Sequence, residues 1–180
     1  MSSNKLLTDL HSQLSPAQFE IFLSKLLDEM GFSDVVVTGR AGDPGIDLEA
    51  TWTQKTVPGL EVDLNFKIQA KRYSPSTTIN PRYVRKLRGC LGSGEWGLLI
   101  TTAKASDNTR KEGISDASRV ISVIDGEGLI DLCKEFGVGV KINYLVDLSF
   151  LKEEEVTPEI PDMSEMSEKT PMEMLTKTLG

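Results

Sequence analysis

The chain has 180 residues, 39% of them hydrophobic and 26% charged, and a net charge of −7 at pH 7. That is one ordinary domain with room for its own core, in the composition range of a soluble globular protein rather than a fibrous or low-complexity one. No apolar run approaches the roughly 18 residues of a membrane helix and no signal peptide opens the chain, so a cytoplasmic setting away from any membrane is expected.

Residues 1–14 read as a polar N-terminal segment, which holds the single histidine, His11, without the companions that a histidine metal site needs. The first predicted helix starts at Ser15 in "SPAQFEIFLSKLLDEMGF". Ser15 is the N-cap, Pro16 takes the first helical position, and Gln18 is placed to complete a capping box. Phe19, Phe22, Leu23, Leu26, Leu27 and Met30 follow the 3.6 period, and Gly31 stops the helix. "VVVT" (35–38) is a short strand, and "GRAGDPG" (39–45) is a glycine- and proline-rich loop in which Asp43 suits a turn. "IDLEATW" is the next strand, with Ile46, Leu48, Ala50 and Trp52 on one face and Asp47, Glu49 and Thr51 on the other. A turn through Pro58 and Gly59 leads to the strand 61–71, so these two strands form an antiparallel meander.

Beyond it the pattern changes. "NPRYVRKLRGCL" is a helix capped by Asn80, with Val84, Leu87 and Leu91 inward and its cations outward. "WGLLITT" (96–102) is a continuous apolar run, as in a strand covered on both faces. A polar helix at 107–118, the strand "VISVID" (120–125) and the helix "GEGLIDLCKEFG" complete an alternating α/β order, a mixed sheet flanked by helices. Cys133 falls on the apolar stripe of that last helix, and with Cys90 it makes no disulfide or metal pattern. From about Leu151 to Gly180 the chain becomes an acidic tail, disordered or partly helical, leaving 15–150 as the folded domain.

The charge is unevenly distributed. Residues 151–180 hold eight acids against three lysines, so the other 150 residues carry only −2. Between Leu64 and Gly94 there is no acid, while Lys67, Lys71, Arg72, Arg82, Arg85, Lys86 and Arg88 are all cationic. A one-signed block of this kind suits a phosphate backbone better than an ordinary solvated face.

Within "FKIQAKRY" (66–73), Gln69 and Lys71 are two apart and share a face, while Asp47 and Glu49 share the polar face of the preceding strand. Pairing of the two strands would bring these groups onto one patch. Glu20 lies about 20° from Leu27 on a helical wheel, at the margin of the apolar stripe.

In order and spacing, "FEIFLSKLLDEMGF", "VVVTGRAGDPGIDLEA", "FKIQAKRY" and "GLLITTAKAS…VISVIDGEGLIDL" resemble the catalytic domain of Mrr-type restriction endonucleases, within the PD-(D/E)xK nuclease superfamily. The resemblance spans about 15–136 and implies a restriction-endonuclease-like fold. It also implies a Mg²⁺-dependent DNA endonuclease, Mn²⁺ being an alternative ion, with Glu20, Asp47, Gln69 and Lys71 as catalytic residues. Asp47 and Gln69, assisted by Glu20, would hold the ion, and Lys71 would serve the attacking water and the phosphate. Gln69 stands where the superfamily more often has an acid, and Pro44 stiffens a loop that is often richer in glycine. Glu49 is either an outer ligand or solvated.

Lys67, Arg72, Arg82, Arg85, Lys86 and Arg88 would neutralise phosphates, and Tyr73 either stacks on DNA or is structural. Cutting both strands favours a homodimer, and reading a sequence or modification needs a partner or a dimer, or is absent; the tail is a second candidate for binding a protein partner. Two other readings stay open: a structure-selective, junction-resolving nuclease, and a catalytically silent DNA-binding module on the same fold.

Overall fold

The computed structural model describes residues 3–38 and 45–140. The loop expected at 39–45, except Gly45, and the acidic tail lie outside the described residues. Five strands form one sheet: β1 (Ser33–Val37), β2 (Leu48–Val57), β3 (Leu60–Lys71), β5 (Glu95–Thr101) and β7 (Ile121–Ile124), in the order β1-β2-β3-β5-β7. β1, β2 and β3 run antiparallel to their neighbours, whereas β3, β5 and β7 are parallel, so the sheet is mixed as expected. Two short strands, β4 (Thr78–Ile79) and β6 (Lys104–Ala105), pair separately; at two residues each they leave no periodicity in the sequence.

Helices α1 (Ser3–Gln13), α2 (Pro16–Met30) and α5 (Gly126–Glu135) accompany α3 (Arg82–Arg88) and α4 (Asp107–Gly113). α2 has the expected start: the Ser15 hydroxyl accepts from the Gln18 amide, and the Gln18 side chain accepts from the Ser15 amide. Gly31 closes it at φ 96°, a left-handed conformation that glycine adopts without penalty. In α3 the Asn80 side chain accepts from the Arg82 amide, so the cap serves from two residues ahead of the first helical turn.

The alternation of each strand divides the apolar residues into two cores. Leu48, Ala50, Ile68, Leu98 and Ile100 meet Phe19, Leu23, Leu26, Leu27, Leu129 and Cys133 on one face. Leu99 and Ile121 meet Ile79, Val84, Leu87 and Leu91 on the other. Burial pushes the Cys133 thiol up to about 11, consistent with a core role. Two expectations need correction. The N-terminal segment is the helix α1, and its Leu7 and Leu10 are buried in the first core. Ile46 packs with the second core instead of sharing a face with Leu48, because it precedes the start of β2 and the strict alternation of the strand.

Candidate active site

The β2–β3 register sets Leu48 against Ile68 and Glu49 against Lys67. Just outside the start of β2, the Asp47 amide donates to the Ile68 carbonyl at 2.8 Å and its carbonyl accepts from the Thr38 amide at 3.0 Å. The Asp47 carboxylate is fixed by the Ala70 amide, 2.7 Å from Oδ2, and Lys71 Nζ lies 3.7 Å from the same oxygen. Asp47 and Lys71 therefore meet, as the strand pattern suggested.

Gln69 is fully buried. Its Nε2 donates to the Gly45 carbonyl at 2.5 Å, which leaves Oε1 buried with no hydrogen-bond partner among the described residues. An acceptor oxygen in that state ordinarily costs about 1–3 kcal/mol, a cost that an ordered water or a bound ion offsets. A hard cation favours oxygen donors, and the Gln69 amide oxygen and the Asp47 carboxylate, which the following Ala70 amide holds, are donors of that kind. Among the described residues no three histidine, cysteine, aspartate or glutamate side chains gather into a metal cluster; the donor set here is carboxylate and amide.

Glu20 joins from α2. Burial raises its pKa above the ordinary carboxyl value, the Asp47 charge raises it further, and Lys71 opposes both. The helix margin thus brings this acid into the electrostatic field of the same group. On β3 the Lys71 carbonyl accepts from the Thr101 hydroxyl at 2.6 Å and the Thr102 amide at 3.3 Å, while the Thr102 hydroxyl donates to the Tyr73 carbonyl at 2.5 Å. Both threonines are fully buried. They anchor the end of the strand that carries Lys71, a role the "TT" closing an apolar run did not disclose.

The cationic block is sorted by its partners. Lys67 pairs with Glu49 and, at 3.7 Å, with Glu95. Burial works to lower its pKa, but the hydrogen bond and charge of Glu49, with Glu95 behind, raise it on balance. Arg72 donates to the His11 carbonyl, and its Nε is buried without a partner among the described residues. Arg85 and Arg88 hold the two oxygens of Glu112 at 2.9 and 2.6 Å, and Arg88 also reaches the Glu112 main-chain carbonyl, tying α3 to α4. Lys67, Arg72, Arg85 and Arg88 are thus engaged within the fold. Arg82 donates to Tyr83 Oη at 3.0 Å and lies over that ring.

Tyr73 and Tyr83 share a hydroxyl–hydroxyl bond of 3.0 Å, so Tyr73 has a structural partner. The hydrogen bonds from Tyr73 and then Arg82 are the leading causes lowering the Tyr83 pKa, to which the Lys71 charge adds. This tyrosine pair and Glu112 were invisible as partners in the sequence, where each stands far from the group it meets. Lys86 is exposed, with its ammonium beside Gly45 and Gln69.

A family model, Mrr_cat, described as a restriction endonuclease, matches residues 11–133. Among solved structures, the MspJI restriction endonuclease in complex with a 27-mer oligonucleotide superposes with a TM-score of 0.63 at 22% identity, covering 83% of this chain and 34% of that one. The DNA modification-dependent restriction endonuclease AspBHI superposes with a TM-score of 0.57 at 18% identity, covering 77% and 36%. At these identities the likeness is one of fold, and the chain spans about a third of the length of either structure. No curated protein sequence matches the chain.

Proposed function

Because this chain belongs to the Mrr_cat restriction endonuclease family, we propose that it is a divalent-cation-dependent DNA endonuclease whose hydrolytic centre is Asp47, Gln69 and Lys71 with Glu20 at its margin. The observation that carries this reading is the fully buried Gln69 Oε1, without a hydrogen-bond partner among the described residues, one residue before the Ala70 amide that holds the Asp47 carboxylate. Asp47 and Gln69 Oε1 would hold Mg²⁺ or Mn²⁺, and Glu20 would add a second carboxylate. Such an ion supplies charge to polarise the scissile phosphate and to acidify a water.

The chain's own groups do the rest. Lys71, drawn toward Asp47, keeps an ammonium where a phosphate oxygen gains charge and where a water can be oriented. A cation that offsets the Asp47 charge would remove one of the causes that raise the Glu20 pKa and so favour its carboxylate form. The Ala70 amide keeps the Asp47 carboxylate aimed, so little reorganisation is needed. Arg82 would make the first phosphate contact, with Arg85 at the edge. Duplex cleavage requires two such centres, hence a homodimer.

The test is cleavage of supercoiled plasmid, methylated plasmid and a four-way junction, with and without Mg²⁺, by the wild-type chain and by Asp47→Ala and Lys71→Ala. The expected result is Mg²⁺-dependent cutting of at least one substrate, reduced at least about 100-fold in both variants. The modification-dependent structural neighbour makes the methylated arm the first to examine. DNA binding without cutting under every condition would instead favour the silent binding module. Cutting confined to the junction would favour the resolving enzyme.

A further inference from the structure

In sequence the cations from Lys67 to Arg88 look equivalent, yet one of them differs in its surroundings. Lys67, Lys71, Arg85 and Arg88 face carboxylates, Arg72 a main-chain carbonyl and Arg82 a phenol. Lys86 has no ion pair with any described residue and its side chain makes no hydrogen bond to one. It does not extend away into solvent either. A methyl group built on Gly45 would lie 3.3 Å from Lys86 Cε, 3.4 Å from Lys86 Nζ and 2.7 Å from Gln69 Nε2. The Lys86 ammonium therefore sits beside the Gln69–Gly45 hydrogen bond, at the residue that leads into Asp47.

We propose that Lys86 is a second active-site ammonium, contacting a non-bridging oxygen of the phosphate that is hydrolysed at Asp47, Gln69 and Lys71. The inference rests on the nuclease reading above. Its base is rigid, because Val84 and Leu87 on the opposite face of α3 are fully buried. Its charge also fits the site. With glutamine at 69 the centre has Asp47 and Glu20 as acids, so a second lysine in addition to Lys71 offsets them and adds attraction for an anionic ester. A compact ammonium on a flexible stem can follow a phosphate oxygen as charge builds on it.

The test separates chemistry from grip. Single-turnover cleavage is measured at saturating protein with Mg²⁺, and DNA affinity is measured by fluorescence anisotropy without divalent ions, for wild type, Lys86→Ala and Lys86→Arg. The expected result for Lys86→Ala is a saturated rate at least about tenfold lower, an affinity within about threefold of wild type, and partial recovery of the rate in Lys86→Arg. A saturated rate equal to wild type overturns the inference, whatever happens to affinity. So does a variant that loses only affinity and about one unit of salt slope, the behaviour of a peripheral phosphate contact. Lys86 is exposed, so an unchanged unfolding midpoint is expected and shows that the variant is folded. A wild-type chain that cuts nothing defeats the nuclease reading itself, and this inference with it. A wild type that cuts beside an equally fast Lys86→Ala defeats this inference alone.

Discussion

Gln69→Glu exchanges one buried atom for another of opposite hydrogen-bonding character. Gln69 Nε2 donates to the Gly45 carbonyl at 2.5 Å, and the residue is fully buried. An ionised carboxylate there would set an acceptor against an acceptor and place a negative charge in a fully buried position. A protonated carboxyl would instead supply an O–H and restore the bond. The introduced group should thus have its pKa raised well above the usual value of about 4.3. A raised folded-state value contributes stability that is present below the unfolded value and is lost as pH rises through the folded one. In EDTA the variant is therefore expected near wild-type stability at about pH 4.5 and about 3 kcal/mol less stable at about pH 8. For a chain of this size that is a midpoint roughly 6–12 °C lower. Thermal unfolding followed by circular dichroism from pH 4.5 to 8 measures it, always as a difference from wild type. Adding Mg²⁺ should narrow the gap, since a carboxylate is a better ligand than an amide for a hard cation. A variant that tracks wild type at every pH would refute the placement of Gln69 against Gly45.

Gly45→Ala meets two penalties, a backbone at φ 106° and a methyl 2.7 Å from Gln69 Nε2. It should cost about 1–3 kcal/mol in urea unfolding and weaken cation binding by displacing the Gln69 amide. Asp47→Asn removes the charge that helps to raise the Glu20 pKa, so that pKa should fall in an NMR titration of the carboxyl carbon; an unchanged value would separate the two acids. Glu112→Gln should lower the unfolding midpoint at pH 7. The hydrogen bonds and charges of Arg88 and Arg85 hold the Glu112 pKa below 4.5, so that stabilisation exists above this value and fades as pH falls beneath it. The gap between variant and wild type should close in acid.

The legible parts of this fold are those written in local chemistry. Ser15, Pro16, Gln18 and Gly31 bound α2 by capping rules that need no tertiary context. The period of two put Gln69 and Lys71 on one face and Asp47 beside them, and register completed the arrangement. The wheel position of Glu20 pointed it toward the same field. What escaped depends on distance along the chain. α1 carries Leu7 and Leu10 at helical spacing, with Leu14 just past its end, but in a short and largely polar segment, and its packing in the first core is what identifies the apolar side. The cationic block was read by counting charges, but Glu112 lies 24 residues from Arg88 and 27 from Arg85, and Glu49 lies 18 from Lys67. A sequence displays the cations and not their partners. The same limit concealed Lys86, whose distinction is that it leans on Gly45.

The most direct test of the central claim is the stoichiometry of Mn²⁺ binding, followed by electron paramagnetic resonance, in wild type, Asp47→Ala, Gln69→Ala and Lys71→Ala. One ion per chain is expected for wild type and for Lys71→Ala, with binding lost in Asp47→Ala and weakened in Gln69→Ala. Undiminished binding in Asp47→Ala, or an ion that depends on neither Asp47 nor Gln69, would contradict the assignment of this centre.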